Sequence, residues 1–129
     1  EGELEKIQSM TNEDNLTSVV DNILSHATED EWFQRGKESL MKGSPTSAHL
    51  IWLQHLNSSN LSLKEVFNFE LNLAIQITRI GDFKEGIRSL IIDKDNKPNW
   101  KYDSINNVQQ SWLDKHTNLA WEVNPLEDL

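Results

Sequence analysis

Apolar residues recur at helical spacing along most of the chain. Leu4 and Ile7 mark a short first helix or the end of one. Asn15 stands ahead of Leu16, Val19, Val20, Ile23 and Leu24, the i, i+3, i+4, i+7, i+8 stripe of an amphipathic helix. Thr28 with Glu31 reads as a capping box opening a third helix that carries Phe33, Leu40 and Met41 and stops at Gly43. Ser44-Pro45 restarts the chain, Ser as N-cap and Pro in the first turn. The helix that follows holds Leu50, Ile51, Trp52, Leu53 and Leu56, apolar most of the way round, which predicts burial on more than one side.

After a polar loop at Asn57-Ser58-Ser59-Asn60, Ser62 and Glu65 form a second capping box. The longest helix then aligns Val66, Phe69, Leu73, Ile77 and Ile80, widened by Phe67 and Leu71, and ends at Gly81. Asp82 with Glu85 reads as a further cap, for a helix presenting Phe83, Ile87, Leu90 and Ile91. A polar turn over residues 93–99 leads to a last helix starting near Asp103 or Ser104 and aligning Ile105, Val108 and Trp112. No stretch alternates apolar and polar residues between tight turns, as strands would. The pattern predicts an all-α chain of about six amphipathic helices in a single helical domain, 1–129. Residues 1–12 read as the end of a linker or helix from an upstream part, and 118–129 as an irregular tail.

Composition narrows what such a fold can do. The formal charge is −9, which repels phosphate backbones and argues against nucleic acid as a partner. No cysteine is present, excluding disulfides, thiolate catalysis and zinc–thiolate sites. No apolar run approaches the roughly 20 residues of a membrane span, so no membrane partner is expected. The sequons at Asn15, Asn57 and Asn60 read as chance. The chain starts at Glu1 rather than Met, which predicts a preceding part, tag or pro-segment.

Candidate chemistry fails mostly on spacing. His49 and His55 are six apart, on different helix faces, and His26 and His116 stand alone, so no metal site is expected. Asp93-Lys94-Asp95-Asn96 opens like a calcium loop, but the sixth position is Pro98 and the twelfth is Ser104. No Gly-rich phosphate loop or nucleophile elbow occurs. Glu70 and Glu85 lie beside apolar stripes; a salt bridge for the first and a helix cap for the second are the expected roles. Arg88, Lys94, Lys97 and Lys101 form a local basic cluster beside Trp100 and Tyr102, which suits either a phosphorylated, aromatic-headed ligand or a solvated turn packed on Trp100.

Two blocks carry a family resemblance. Ser44-Pro45-Thr46-Ser47 is the first. The second is Asp82-Phe83, Glu85-Gly86, Arg88 and Ile92-Asp93-Lys94-Asp95 with Pro98 and Trp100, preceded by Glu70. Together they resemble the C-terminal region of 3-hydroxyisobutyryl-CoA hydrolases, of the crotonase (enoyl-CoA hydratase/isomerase) superfamily. Asn72, Ala48 and Ser89 stand where that family tends to have Arg, Leu and Ala. The resemblance implies an enzyme part in valine breakdown: a helical piece packed on an upstream crotonase core that supplies the oxyanion donors and catalytic carboxylates. It implies acyl-CoA as substrate, no catalytic residue in this chain and no other cofactor. Lys94 and Trp100, more weakly Arg88, are implied as coenzyme A contacts, and a homo-oligomer as a further partner. The helix from Leu50 to Leu56 is the expected docking face. A stand-alone interaction module and a ligand carrier are the alternative functions. The acidic chain and Asn124-Pro125-Leu126 point to a bacterial cytoplasm, with the mitochondrial matrix as the alternative.

Overall fold

A computed structural model describes residues 2–127, with side chains from residue 4; Glu1 and the last two tail positions, 128–129, lie outside the described residues. Seven α-helices and no strand occur among them: α1 Gly2–Thr11, α2 Leu16–Ser25, α3 Glu31–Lys42, α4 Pro45–Ser58, α5 Leu63–Ile80, α6 Phe83–Ile87 and α7 Gln110–Thr117. A wide π turn, Arg88–Ile92, continues α6, and a single 3-10 turn, Ile105–Asn107, precedes α7. Contacts divide the chain into two compact units, residues 1–43 and 44–129, where the hydrophobic pattern predicts a single domain.

In the first unit, α1 packs on α2, and Met10, Val19, Val20 and Phe33 are buried. Asn15 caps α2 by accepting from the Ser18 N–H. The cap of α3 is Asp30 rather than Thr28: its carboxylate accepts from the Phe33 N–H, while Thr28 Oγ1 takes the Asp30 N–H. Thr and Asp both make good caps, and the carboxylate wins at the positive end of the helix.

The second unit is built on Leu50, Leu73 and Leu113, from α4, α5 and α7, with Phe69, Ile77 and Val108 packed against them. Ser44 caps α4, and Ser62 with Glu65 forms a complete capping box on α5. Helix α4 is buried on one side only. Leu50 is inside and Trp52 and Leu53 are half-buried, while Ile51 and Leu56 face solvent. The last helix starts later than its apolar spacing predicts. Ser104 and Val108 are extended, and the His49 ring bonds the Ile105 carbonyl, so Val108 reaches the core from a turn.

Beside this core α5 buries a polar stripe. Asn72 donates to the His116 and Thr117 carbonyls and accepts from the Ala120 N–H; Gln76 donates to the Asn118 carbonyl. The tail is irregular, and these bonds pin it to α5.

His116 is fully buried, its Nδ1 2.9 Å from the Trp112 carbonyl and its Nε2 with no partner among the described residues. Gly81 makes that packing possible. A Cβ there would meet the Ile77 carbonyl oxygen at 2.9 Å and His116 Nε2 at 3.0 Å. Two of those neighbours are backbone or fully enclosed, so neither can yield. Gly81→Ala is therefore expected to cost about 1–3 kcal/mol of stability, read as a melting temperature lower by several degrees; an unchanged melt would contradict this packing.

Candidate functional site

The turn between α6 and the 3-10 helix collects most of the residues singled out by motif. Its centre is Arg88. The Arg88 Nε–H and one Nη2–H donate to the two oxygens of Glu85, at 2.9 and 2.7 Å. Nη1 donates to Asp93 at 2.6 Å and to Asp95 at 2.8 Å, and Nη2 also donates to the Lys97 carbonyl at 3.1 Å. A guanidinium has five N–H donors. All five are matched within the protein, which leaves none for a phosphate. Arg88 thus fastens the turn from within.

The carboxylates are equally engaged. Glu85 accepts the Asn99 N–H as well as the guanidinium, and Asp95 accepts from the Lys97 N–H and the Ser89 hydroxyl. The Arg88 hydrogen bonds, then these backbone N–H groups, hold Glu85 and Asp95 down to about 2. The Arg88 pKa is raised in turn, chiefly by Glu85. Ser89, where the resembling family tends to have Ala, adds a hydroxyl that this arrangement uses.

Asp82 and Glu85 do not cap α6. Asp82 is helical in backbone and makes no side-chain cap bond. Its carboxylate instead accepts from the Ser44 hydroxyl at 2.6 Å and from the Lys101 N–H at 3.0 Å. Asp82 therefore ties the start of α4 to the far end of the turn, and the two sequence blocks meet at one hydrogen bond. Local spacing cannot distinguish a cap from such a long-range acceptor, because both use a carboxylate at a helix start.

The other candidates divide between two places. The Trp100 ring rests on Gly86, where an added Cβ would sit 3.4 Å from it. Lys101 turns away, its ammonium 4.9 Å from the Trp112 ring, and Tyr102 meets the same indole edge-on. Lys94 is exposed at the tip of the turn. Its φ is 53°, and that of Asn96 is 52°, left-handed values that cost a non-glycine residue roughly 1–2 kcal/mol each. The bonds around Asp95, with the Asn96 N–H donating to the Ser89 carbonyl, fix the backbone in that shape.

Glu70 is exposed and takes a hydrogen bond from the neutral Gln54 amide, not the predicted salt bridge. His26 stacks edge-on with Phe33, and His55 lies beside Trp52. Among the described residues no three His, Asp or Glu side chains gather as metal ligands. No helix of the described residues is long and apolar enough to cross a membrane. The buried amides Asn72 and Gln76 were not visible as functional residues; their only signal is polar spacing of i, i+4 beside an apolar stripe.

Because Glu85 and Asp95 titrate lower in the folded chain than their ordinary 4.5 and 3.8, their contribution is full above those values and is lost as pH falls toward about 2. Chemical unfolding from neutral pH downward should show stability falling across that window. Arg88→Met should lower stability at neutral pH and flatten the acid limb; an acid limb identical to wild type would refute the role given to Arg88.

Residues 1–117 match the family described as enoyl-CoA hydratase/isomerase. Mitochondrial 3-hydroxyisobutyryl-CoA hydrolases are among the similar proteins. That of Danio rerio is 40% identical over 78 residues, covering 60% of this chain and 20% of the relative. That of Gallus gallus is 30% identical over 111 residues, 86% of this chain and 28% of the relative. That of Homo sapiens is 29% identical over 116 residues, 90% of this chain and 30% of the relative. The chain thus spans less than a third of the length of these relatives. They are named as mitochondrial proteins, and none of them supports the bacterial cytoplasm expected from the sequence. The match covers most of the chain, and the chain belongs to the enoyl-CoA hydratase/isomerase family.

Proposed function

We propose that the chain is the helical C-terminal part of a 3-hydroxyisobutyryl-CoA hydrolase-like enzyme, packed on a crotonase core that performs the thioester chemistry. The observation that carries this reading is a run of apolar side chains left in solvent. Leu90, Ile91 and Ile92 are 66%, 56% and 69% exposed, consecutive, and directly ahead of the Lys94 turn. Phe83 is exposed just before them, and Ile51 and Leu56 lie outward on α4. Clustered exposed apolar residues mark surfaces that another element covers. Leu90, Ile91 and Ile92 stand on the π turn that continues α6.

On this reading the docked turn closes one side of the acyl-CoA site. Lys94 offers its ammonium to a phosphate of coenzyme A, Trp100 braces the turn from Gly86, and Arg88 positions Lys94 without touching the ligand. The core supplies the donors that stabilise the thioester oxyanion and the carboxylate that directs water. Valine breakdown in the mitochondrial matrix is the setting the relatives suggest, and a second subunit is a natural further partner of the same surface.

In a polypeptide joining this chain to its core, Lys94→Ala should raise KM for 3-hydroxyisobutyryl-CoA by about tenfold with kcat preserved; an unchanged KM would remove Lys94 from the site. Core and chain expressed separately should each be inactive and regain hydrolysis on mixing. Full activity of the core alone would favour a stand-alone interaction module instead.

A further inference from the structure

The polar face of α5 is arranged to read a peptide backbone. Asn68, Asn72, Gln76 and Arg79 follow one another at i, i+4, i+8 and i+11, one stripe of the helix. Asn72 and Gln76 are 3% and 9% exposed. Along this stripe lies the segment after α7. Gln76 Nε2 donates to the Asn118 carbonyl at 2.8 Å, Arg79 Nη1 to the Ala120 carbonyl at 2.9 Å, and the Ala120 N–H to Asn72 Oδ1 at 2.8 Å. Further on, Asn124 Nδ2 donates to Asn68 Oδ1 at 3.0 Å, and Lys64 Nζ to the Glu127 carbonyl at 3.1 Å.

Of the segment's apolar side chains Leu119 and Val123 do little of the holding, while Trp121 and Leu126 are half-buried. Leu119 and Val123 are 76% and 74% exposed. Four of these five bonds go to main-chain groups of the segment, and only the one from Asn124 uses its side chain. The segment also begins where the family match stops, at residue 117. Between it and α5 lies an open cavity of about 430 Å³, with Phe69 and Trp121 in its walls.

We propose that this stripe of α5 is a docking surface for a bent peptide segment read mainly through its main chain, and that its occupant is this chain's own segment 118–127, a detachable strap over the cavity. Two consequences separate main-chain from side-chain recognition. The strap tolerates changes at Leu119 and Val123. It fails when the Ala120 N–H is removed, because Asn72 then loses a buried partner.

The test uses the full chain. Ala120→Pro should make strap amides exchange with solvent roughly tenfold faster and expose the segment to protease, with the melting of α4 and α5 retained. The double variant Leu119→Ser/Val123→Ser should exchange as wild type does. A labelled peptide of residues 117–127 should then bind the Ala120→Pro chain, whose seat is empty, and a peptide carrying the same Pro should not. Equal release by both variants, release by neither, or no discrimination between the two peptides would overturn the proposal.

Discussion

The Arg88 guanidinium closes a ring of acceptors: the Glu85, Asp93 and Asp95 carboxylates and the Lys97 carbonyl. Glu85, Asp93 and Asp95 are three carboxylates within eleven residues of a chain already at −9, and without a cation at their centre they would drive the turn apart. With Arg88 present, each carboxylate has a charge-assisted bond, and the two best-held also accept backbone N–H groups that would otherwise be lost in an irregular turn. The left-handed backbone at Lys94 and Asn96 persists because this ring over-determines it.

From that ring the rest of the second unit can be traced. The Glu85 bond to the Asn99 N–H brings the chain back to Gly86, where Trp100 finds its seat. Asp82 takes the next N–H, of Lys101, and fastens the assembly to Ser44 at the head of α4. Beyond it Trp112 packs with Lys101 and Tyr102 and donates to Thr46, in the first turn of α4. The apolar core of Leu50, Leu73 and Leu113 supplies the burial energy, while the polar network decides how the connecting turn crosses it. The exposed Leu90–Ile92 run lies within this path.

The helices were legible where one residue and its near neighbours decide the outcome. Ser44 and Ser62 cap as their spacing predicts because an N-cap is a contact over three residues. Thr28 misled by two positions because Asp30 competes for the same role. Asp82 and Glu85 misled completely, since their acceptors serve groups 38, 19 and 14 residues away. The same distance hides the α5 stripe. Asn72 and Gln76 bond carbonyls more than 40 residues on, and a carbonyl leaves no mark in a sequence. At the site, Arg88 pairing with Glu85 and Asp95 could be anticipated from proximity, but not that every donor is taken.

The Glu85–Arg88–Asp95 motif folds the turn as one unit. A double-mutant cycle on Arg88→Met and Glu85→Gln, read by chemical unfolding at neutral pH, tests it most directly. A shared network predicts that the double variant loses clearly less stability than the two single losses together. Simple additivity would contradict it and return Arg88 to the surface as an independent cation.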